Sequence, residues 1–127
     1  MRRRKPGVER RRRLRTQQGG LCYWCGLPMQ VGANGSRFRN YPWATTLEHL
    51  LPRGHPDHSQ PWAVVGAHQL CNSLREQVDW DDFLTFVRGP RLASLYRGSL
   101  YRTGRRDLTR QLMRQALRDI ETAKELH

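Results

Sequence analysis

Long apolar runs are missing from this chain. Of its 127 residues 37% are hydrophobic and the mean hydropathy is -0.82, and no stretch approaches the ~18 consecutive apolar residues of a membrane-spanning helix. Acidic residues are scarce: 11 Asp and Glu stand against 23 Lys and Arg, for a formal net charge of +12. A field of that sign draws polyanions, and nucleic-acid phosphates are the usual partner. Cysteine is limited to Cys22, Cys25 and Cys71, an odd number that argues against a disulfide framework. The Arg-rich start has no apolar segment behind it, so it does not read as a secretory signal, and a soluble cytoplasmic protein is expected. No internal repeat is visible. The length suits one domain with extensions, and so small a core often needs an added staple, for which a metal is one choice.

Three zones follow one another. Residues 1–17 form a basic arm with Arg2, Arg3, Arg4, Lys5, Arg10, Arg11, Arg12, Arg13 and Arg15, closed by Gly19-Gly20. Residues 18–78 are rich in Cys, Trp, Gly, Pro and His. There Thr45 to Leu51 reads as a strand ended by Pro52, residues 52–61 as a loop, Ala63 to Ala67 as a second strand, and His68 to Val78 as a helix. Residues 79–127 read as a helical extension. Asp79 or Asp81 is placed to cap a short helix that Gly89-Pro90 stops, and Asp107 to open a longer one carrying Leu108, Leu112, Ala116 and Ile120.

Cys22-Tyr23-Trp24-Cys25-Gly26 has the spacing of a zinc knuckle: two thiolates three apart can face one tetrahedral ion while the glycine lets the backbone turn. His68-Gln69-Leu70-Cys71 repeats that spacing, giving a Cys3His set. His55 or His58 is an alternative to His68. A redox role for the first pair lacks the surrounding βαβ pattern such a pair would have. Tyr23, Trp24 and Trp43 read as packing around the metal.

Between the two pairs lies Glu48-His49. Neighbours on a strand point to opposite faces, yet at a strand's end a carboxylate can reach a metal while the imidazole faces water. Phosphodiester hydrolysis needs those parts, a divalent ion for the developing charge and a base for the water.

The run C-x-x-C, (D/E)-H-x-x-P, P-W-x-V, (C/H)-x-x-C-N resembles the zinc-containing HNH (ββα-metal) endonucleases of bacteria and their phages. Here it comprises Cys22, Cys25, Glu48, His49, Pro52, Pro61, Trp62, Val64, His68, Cys71 and Asn72, within roughly residues 20–75. The resemblance implies an α+β fold with a small zinc-stapled ββα-metal core. It implies His49 as general base, Glu48 and Asn72 as ligands of a catalytic Mg²⁺, Mn²⁺ or other divalent ion, and structural Zn²⁺ on Cys22, Cys25, His68 and Cys71. The family's middle Asn, which orients the base, corresponds to Ala63. Reduced activity, replacement by Asn34, Asn40, Ser59 or Gln60, or an engineered substitution would each account for it.

DNA is the expected partner, in a phage DNA-packaging complex or in host defence or a mobile element. Arg2, Arg3, Arg4, Arg11, Arg12 and Arg13 are the expected phosphate contacts, with Arg75 as a clamp on the motif helix. Arg106, Arg110, Arg114 and Arg118 recur every fourth residue, as a solvated stripe or a second contact. The expected activity is metal-dependent DNA cleavage, with His49 facing Asn72. Its rivals are a non-catalytic zinc module that only binds nucleic acid, and an RNA-binding zinc protein.

Overall fold

The structure, a computed structural model, describes residues 6–30, 41–100 and 107–126. The chain is α+β: among the described residues, five α-helices accompany one two-stranded antiparallel sheet. None of these helices is long and apolar enough to cross a membrane.

Strands β1 (Thr45–His49) and β2 (Val64–His68) pair with Thr45 opposite His68, Leu47 opposite Gly66 and His49 opposite Val64. β-Branched Thr45, Thr46, Val64 and Val65 suit the pleat. β1 stops two residues short of the expected Leu51. β2 begins one residue late because Pro61–Ala63 winds into a short 3-10 turn. Helix α2 (Gln69–Gln77) starts directly after His68 and turns Leu70, Cys71 and Leu74 inward. Strand, loop, strand and helix thus follow in the expected order.

Residues 6–17, expected as an arm, form helix α1 (Pro6–Gln17), which packs against both strands. Arginine is a good helix former, and Pro6 supplies a φ suited to a first helical position. Gly19, at φ 66°, ends the helix, and Gly20 N–H donates to Arg15 O at 2.7 Å, as in a Schellman cap. Polar groups do much of the seating. Gln18 Nε2 donates to Gly66 O at 2.9 Å, its Oε1 accepts from Gly66 N at 2.6 Å, and Arg15 Nε donates to Met29 O at 2.8 Å. Arg2, Arg3 and Arg4 lie outside the described residues, as do Asn34, Asn40 and Arg106.

Helices α3 (Trp80–Val87), α4 (Pro90–Ser99) and α5 (Leu108–Glu125) complete the fold. Asp79 and Asp107 hold the N-cap positions of α3 and α5 without a side-chain capping bond. Gly89-Pro90 ends α3 as expected, but Pro90 also opens α4, since its missing N–H costs nothing in a first turn. α5 packs on α2 and α4, and α3 on α2 and α4. Trp43, Met29, Leu70, Leu74, Phe83, Leu92 and Leu108 are almost fully buried in one continuous cluster. At about 1.5–3 kcal/mol for each large side chain, that cluster ties the C-terminal helices to the segment bearing Glu48, His49 and Asn72.

Candidate metal centre and active site

Cys22, Cys25, His68 and Cys71 converge: one ligand atom from each lies within 4.8 Å of all the others. The first two come from a tight loop in which Gly26 N–H donates to Cys22 O at 2.9 Å and Cys22 N–H to Leu27 O at 2.9 Å, with Gly26 at φ 75°. The other two come from the end of β2 and the first turn of α2. His68 is fully buried, and its Nδ1 lies 3.2 Å from Cys25 Sγ and 3.8 Å from Cys71 Sγ. Its Nε2 lies 2.8 Å from Pro28 O. A carbonyl can only accept, so Nε2 carries a proton, and Nδ1, on the side of the thiols, is the nitrogen that a metal would take in place of its own proton. Backbone N–H groups also reach the sulfurs, His68 N to Cys22 Sγ at 3.3 Å and Leu27 N to Cys25 Sγ at 3.5 Å. His55 and His58 are not in the group.

Crowding shifts the titrations of Cys22, Cys71 and His68. Hydrogen bonding from Cys25 and then Cys71 holds the Cys22 thiol far below its ordinary range. Hydrogen bonding to Cys22 and Cys25 pushes Cys71 well above it. Burial alone would lower His68, but hydrogen bonds to Cys22 and Cys25 raise it to about 9. Such a set of soft sulfurs and one imidazole can hold a metal ion such as zinc, whose charge offsets the packed thiolates. The Trp43 and His68 rings meet edge to face at 5.2 Å, and Trp24 meets Tyr23, Trp80 and Phe83 in the same manner at 4.9 to 5.5 Å.

Glu48 and His49 part company at the end of β1. The Glu48 side chain meets α2, in direct contact with the Asn72 amide, and Arg75 Nη1 lies 2.9 Å from Glu48 Oε1. The side chain in contact with Asn72 is thus Glu48, while His49, which the sequence reading had facing Asn72, lies against His58. The amide can be placed two ways, of which the turned-over one satisfies both its ends. In one, Asn72 Nδ2 donates to Thr46 Oγ1 at 3.2 Å and Leu47 O at 3.5 Å while its oxygen confronts the Glu48 carboxylate. Turned over, its nitrogen donates to Glu48 Oε1 at 3.3 Å and its oxygen accepts from Thr46 Oγ1 at 3.2 Å. Burial raises the Glu48 pKa, against a smaller opposite effect of Arg75. Arg75 is engaged on several sides. Besides Glu48 it donates to His49 O at 3.3 Å, and its guanidinium lies 4.9 Å from the Trp24 ring and 5.7 Å from that of Trp80.

The half-buried His49 ring lies on the His58 ring, with centroids 4.1 Å apart and planes 5° from parallel. His58 Nδ1 is held 2.8 Å from Leu51 O, which folds the loop back on its own start, two residues past the end of β1. Burial, then His58, Arg10 and Arg53, lower the His49 pKa. Ala63 is fully buried at the far end of this loop. Its carbonyl accepts from Leu50 N at 2.8 Å and its N–H donates to Gln60 O at 2.9 Å. His58 is the residue that sequence reasoning missed. Its imidazole was visible, but nothing in a proline-rich loop shows which strand residue it folds back upon. Of the expected phosphate contacts, Arg11 and Arg12 are half-buried on α1 and Arg13 is exposed.

Compared with protein-family models, with curated proteins and with solved structures, the chain matches none of them.

Proposed function

We propose that this protein is a zinc-stapled, metal-dependent DNA endonuclease of the HNH type, with β1, β2 and α2 as its ββα-metal core. The observation that carries the reading is the contact of Glu48 with Asn72 where β1 meets α2, beside a half-buried His49 on the next position of the strand. The Asn72 amide satisfies its hydrogen bonds with its nitrogen toward Glu48, and turning it over brings its oxygen beside the carboxylate instead. Hard oxygen donors of that kind suit Mg²⁺ or Mn²⁺. Glu48 and Asn72 would hold the ion, which when bound supplies charge stabilisation to the phosphoryl oxygens.

His49 accepts a proton on its imidazole from a water molecule. The water oxygen bonds to phosphorus as the bond to the leaving sugar oxygen breaks. His58 fixes the plane of the His49 ring, the orienting task for which Ala63 has no side-chain polar group. Arg75 steadies Glu48. Phage DNA packaging, host defence and a mobile element are the settings that such an activity suits. Cleavage of plasmid DNA with Mg²⁺ or Mn²⁺, set against His49→Ala, tests the reading, and an equal rate for the two proteins overturns it.

A second reading, a zinc module that binds nucleic acid without cutting it, draws on one observation. Arg75 already neutralises Glu48 at 2.9 Å, so the carboxylate has a cation partner without any metal. That reading takes over if no divalent ion supports cleavage.

A further inference from the structure

Helix α1 does more than carry charge. Seated on the sheet by Gln18 and Arg15, it lays one face along β2, and between them lies a crevice of about 200 Å³. Arg10, Arg13, Leu14 and Gln17 line it from the helix, Pro61 and Val64 from the other side. Val64 is the residue paired with His49 across the sheet, so the crevice opens one strand away from the imidazole. Arg10 is close enough for its charge to act on His49. Next to Pro61 stands Trp62, 64% exposed, an uncommon place for so large an apolar ring. The two guanidiniums in the crevice and the exposed indole next to its lining residue Pro61 suit one ligand class: the arginines a phosphate, the ring a base or sugar.

We infer that the crevice between α1 and β2 binds the DNA strand at a phosphate flanking the one cut at His49, with Arg10 and Arg13 holding the phosphate and Trp62 the adjoining nucleoside. Its placement beside the cut rests on the nuclease reading; its binding of DNA does not. The arginines of α1 thereby set where the strand lies relative to the base, as positioning residues whose loss slows cutting even when the protein is saturated.

The test measures binding of a short DNA duplex across a salt series by fluorescence anisotropy, in full-length His49→Ala protein. Arg10→Gln with Arg13→Gln should lower the slope of log affinity against log salt by about 1, near 0.9 for the one phosphate charge no longer neutralised. Trp62→Ala should weaken binding without changing the slope. Removing the same charge from α5, with Arg110→Gln and Arg114→Gln, should change the slope less. An unchanged slope for the α1 pair, or equal changes for both pairs, overturns the site. If the α1 pair melts early, the exposed Arg13→Gln alone carries the test, with a smaller slope change of the same sign, roughly half of that for the pair. With His49 present, the α1 pair should cut roughly 100-fold more slowly at saturating protein. An unchanged saturated rate overturns the positioning role. A parent that never cuts removes the nuclease reading alone, because the anisotropy slopes still decide whether the crevice binds DNA.

Discussion

The Cys3His cluster and the Glu48–His49 pair both draw on the β1–β2 hairpin, the cluster adding α2 and the loop of Cys22 and Cys25, yet they are built on opposite plans. At the cluster four donors from two segments close upon one point, His68 and Cys71 fully buried and Cys22 nearly so. At the pair, two neighbours on one strand turn to different faces, each half-buried, one toward α2 and one toward a loop. A closed donor set suits an ion that stays, whereas an open one suits an ion and a substrate that exchange. The closed site can therefore be lost only with the fold, and the open site can be lost with the fold intact.

The strongest way to break that contrast is at the cluster. Chelation of the metal, or Cys71→Ser, should unfold the hairpin and α2 together, since structural zinc is worth on the order of 10 kcal/mol in small modules. Metal analysis and a thermal melt check it, and a melt indifferent to chelator shows that the cluster is no staple. The next largest effect belongs to His49→Ala. Cleavage should fall by roughly 10²- to 10⁴-fold, while zinc content and DNA affinity hold steady. The pH profile follows from the sign of the shift. Burial, His58, Arg10 and Arg53 disfavour the imidazolium, so the neutral base predominates above a pKa lower than the ordinary ~6.5. The rate should rise with pH through that lowered value and be level at neutrality; a rise centred above 6.5 contradicts the arrangement.

Smaller effects sharpen the contrast. Asn72→Ala should raise the Mg²⁺ or Mn²⁺ concentration needed for half-maximal cleavage by about 10-fold and leave the zinc in place; a titration unchanged by the substitution removes Asn72 from the ion's ligands. His58→Ala should slow cutting by about 10-fold at saturation by loosening the His49 ring, and single-turnover kinetics would show whether it does. The smallest change in rate belongs to Ala63→Asn. The loop is already closed by the Leu50–Ala63 and His58–Leu51 contacts, so restoring the amide should not accelerate cleavage. A buried amide left without a partner should instead cost about 1–3 kcal/mol in stability. A faster enzyme would show that position 63 does limit the orientation of the base.

The parts legible in the sequence are those in which residue type and spacing carry the geometry. Two x-x-spaced pairs announced the Cys22, Cys25, His68 and Cys71 cluster, and Thr, Val and Pro marked both strands to within two residues. α1 was illegible as a docked helix because its run of arginines has no apolar period; Arg15 and Gln18 fasten it through polar bonds to distant backbone. α4 was hidden because Pro90 was weighed as a stop when it also serves as a start. The engagement of Arg75 by Glu48 and two indoles depends on α2 crossing β1 next to α3, a tertiary fact that no local pattern encodes.

The two-pronged bond of Gln18 bears on self-association. A hairpin of two strands has an outer rim on β2, and an unpaired rim is a template on which another chain can extend a ladder. At Gly66, the midpoint of β2, the Gln18 amide takes both main-chain groups as a peptide in a third strand would, and Tyr23 N–H adds a bond to the same carbonyl at 3.1 Å. The rim is thus occupied at its midpoint. A single glutamine just past the end of α1 gives this small sheet a blunted border, against both misregistered dimers and fibrillar stacking.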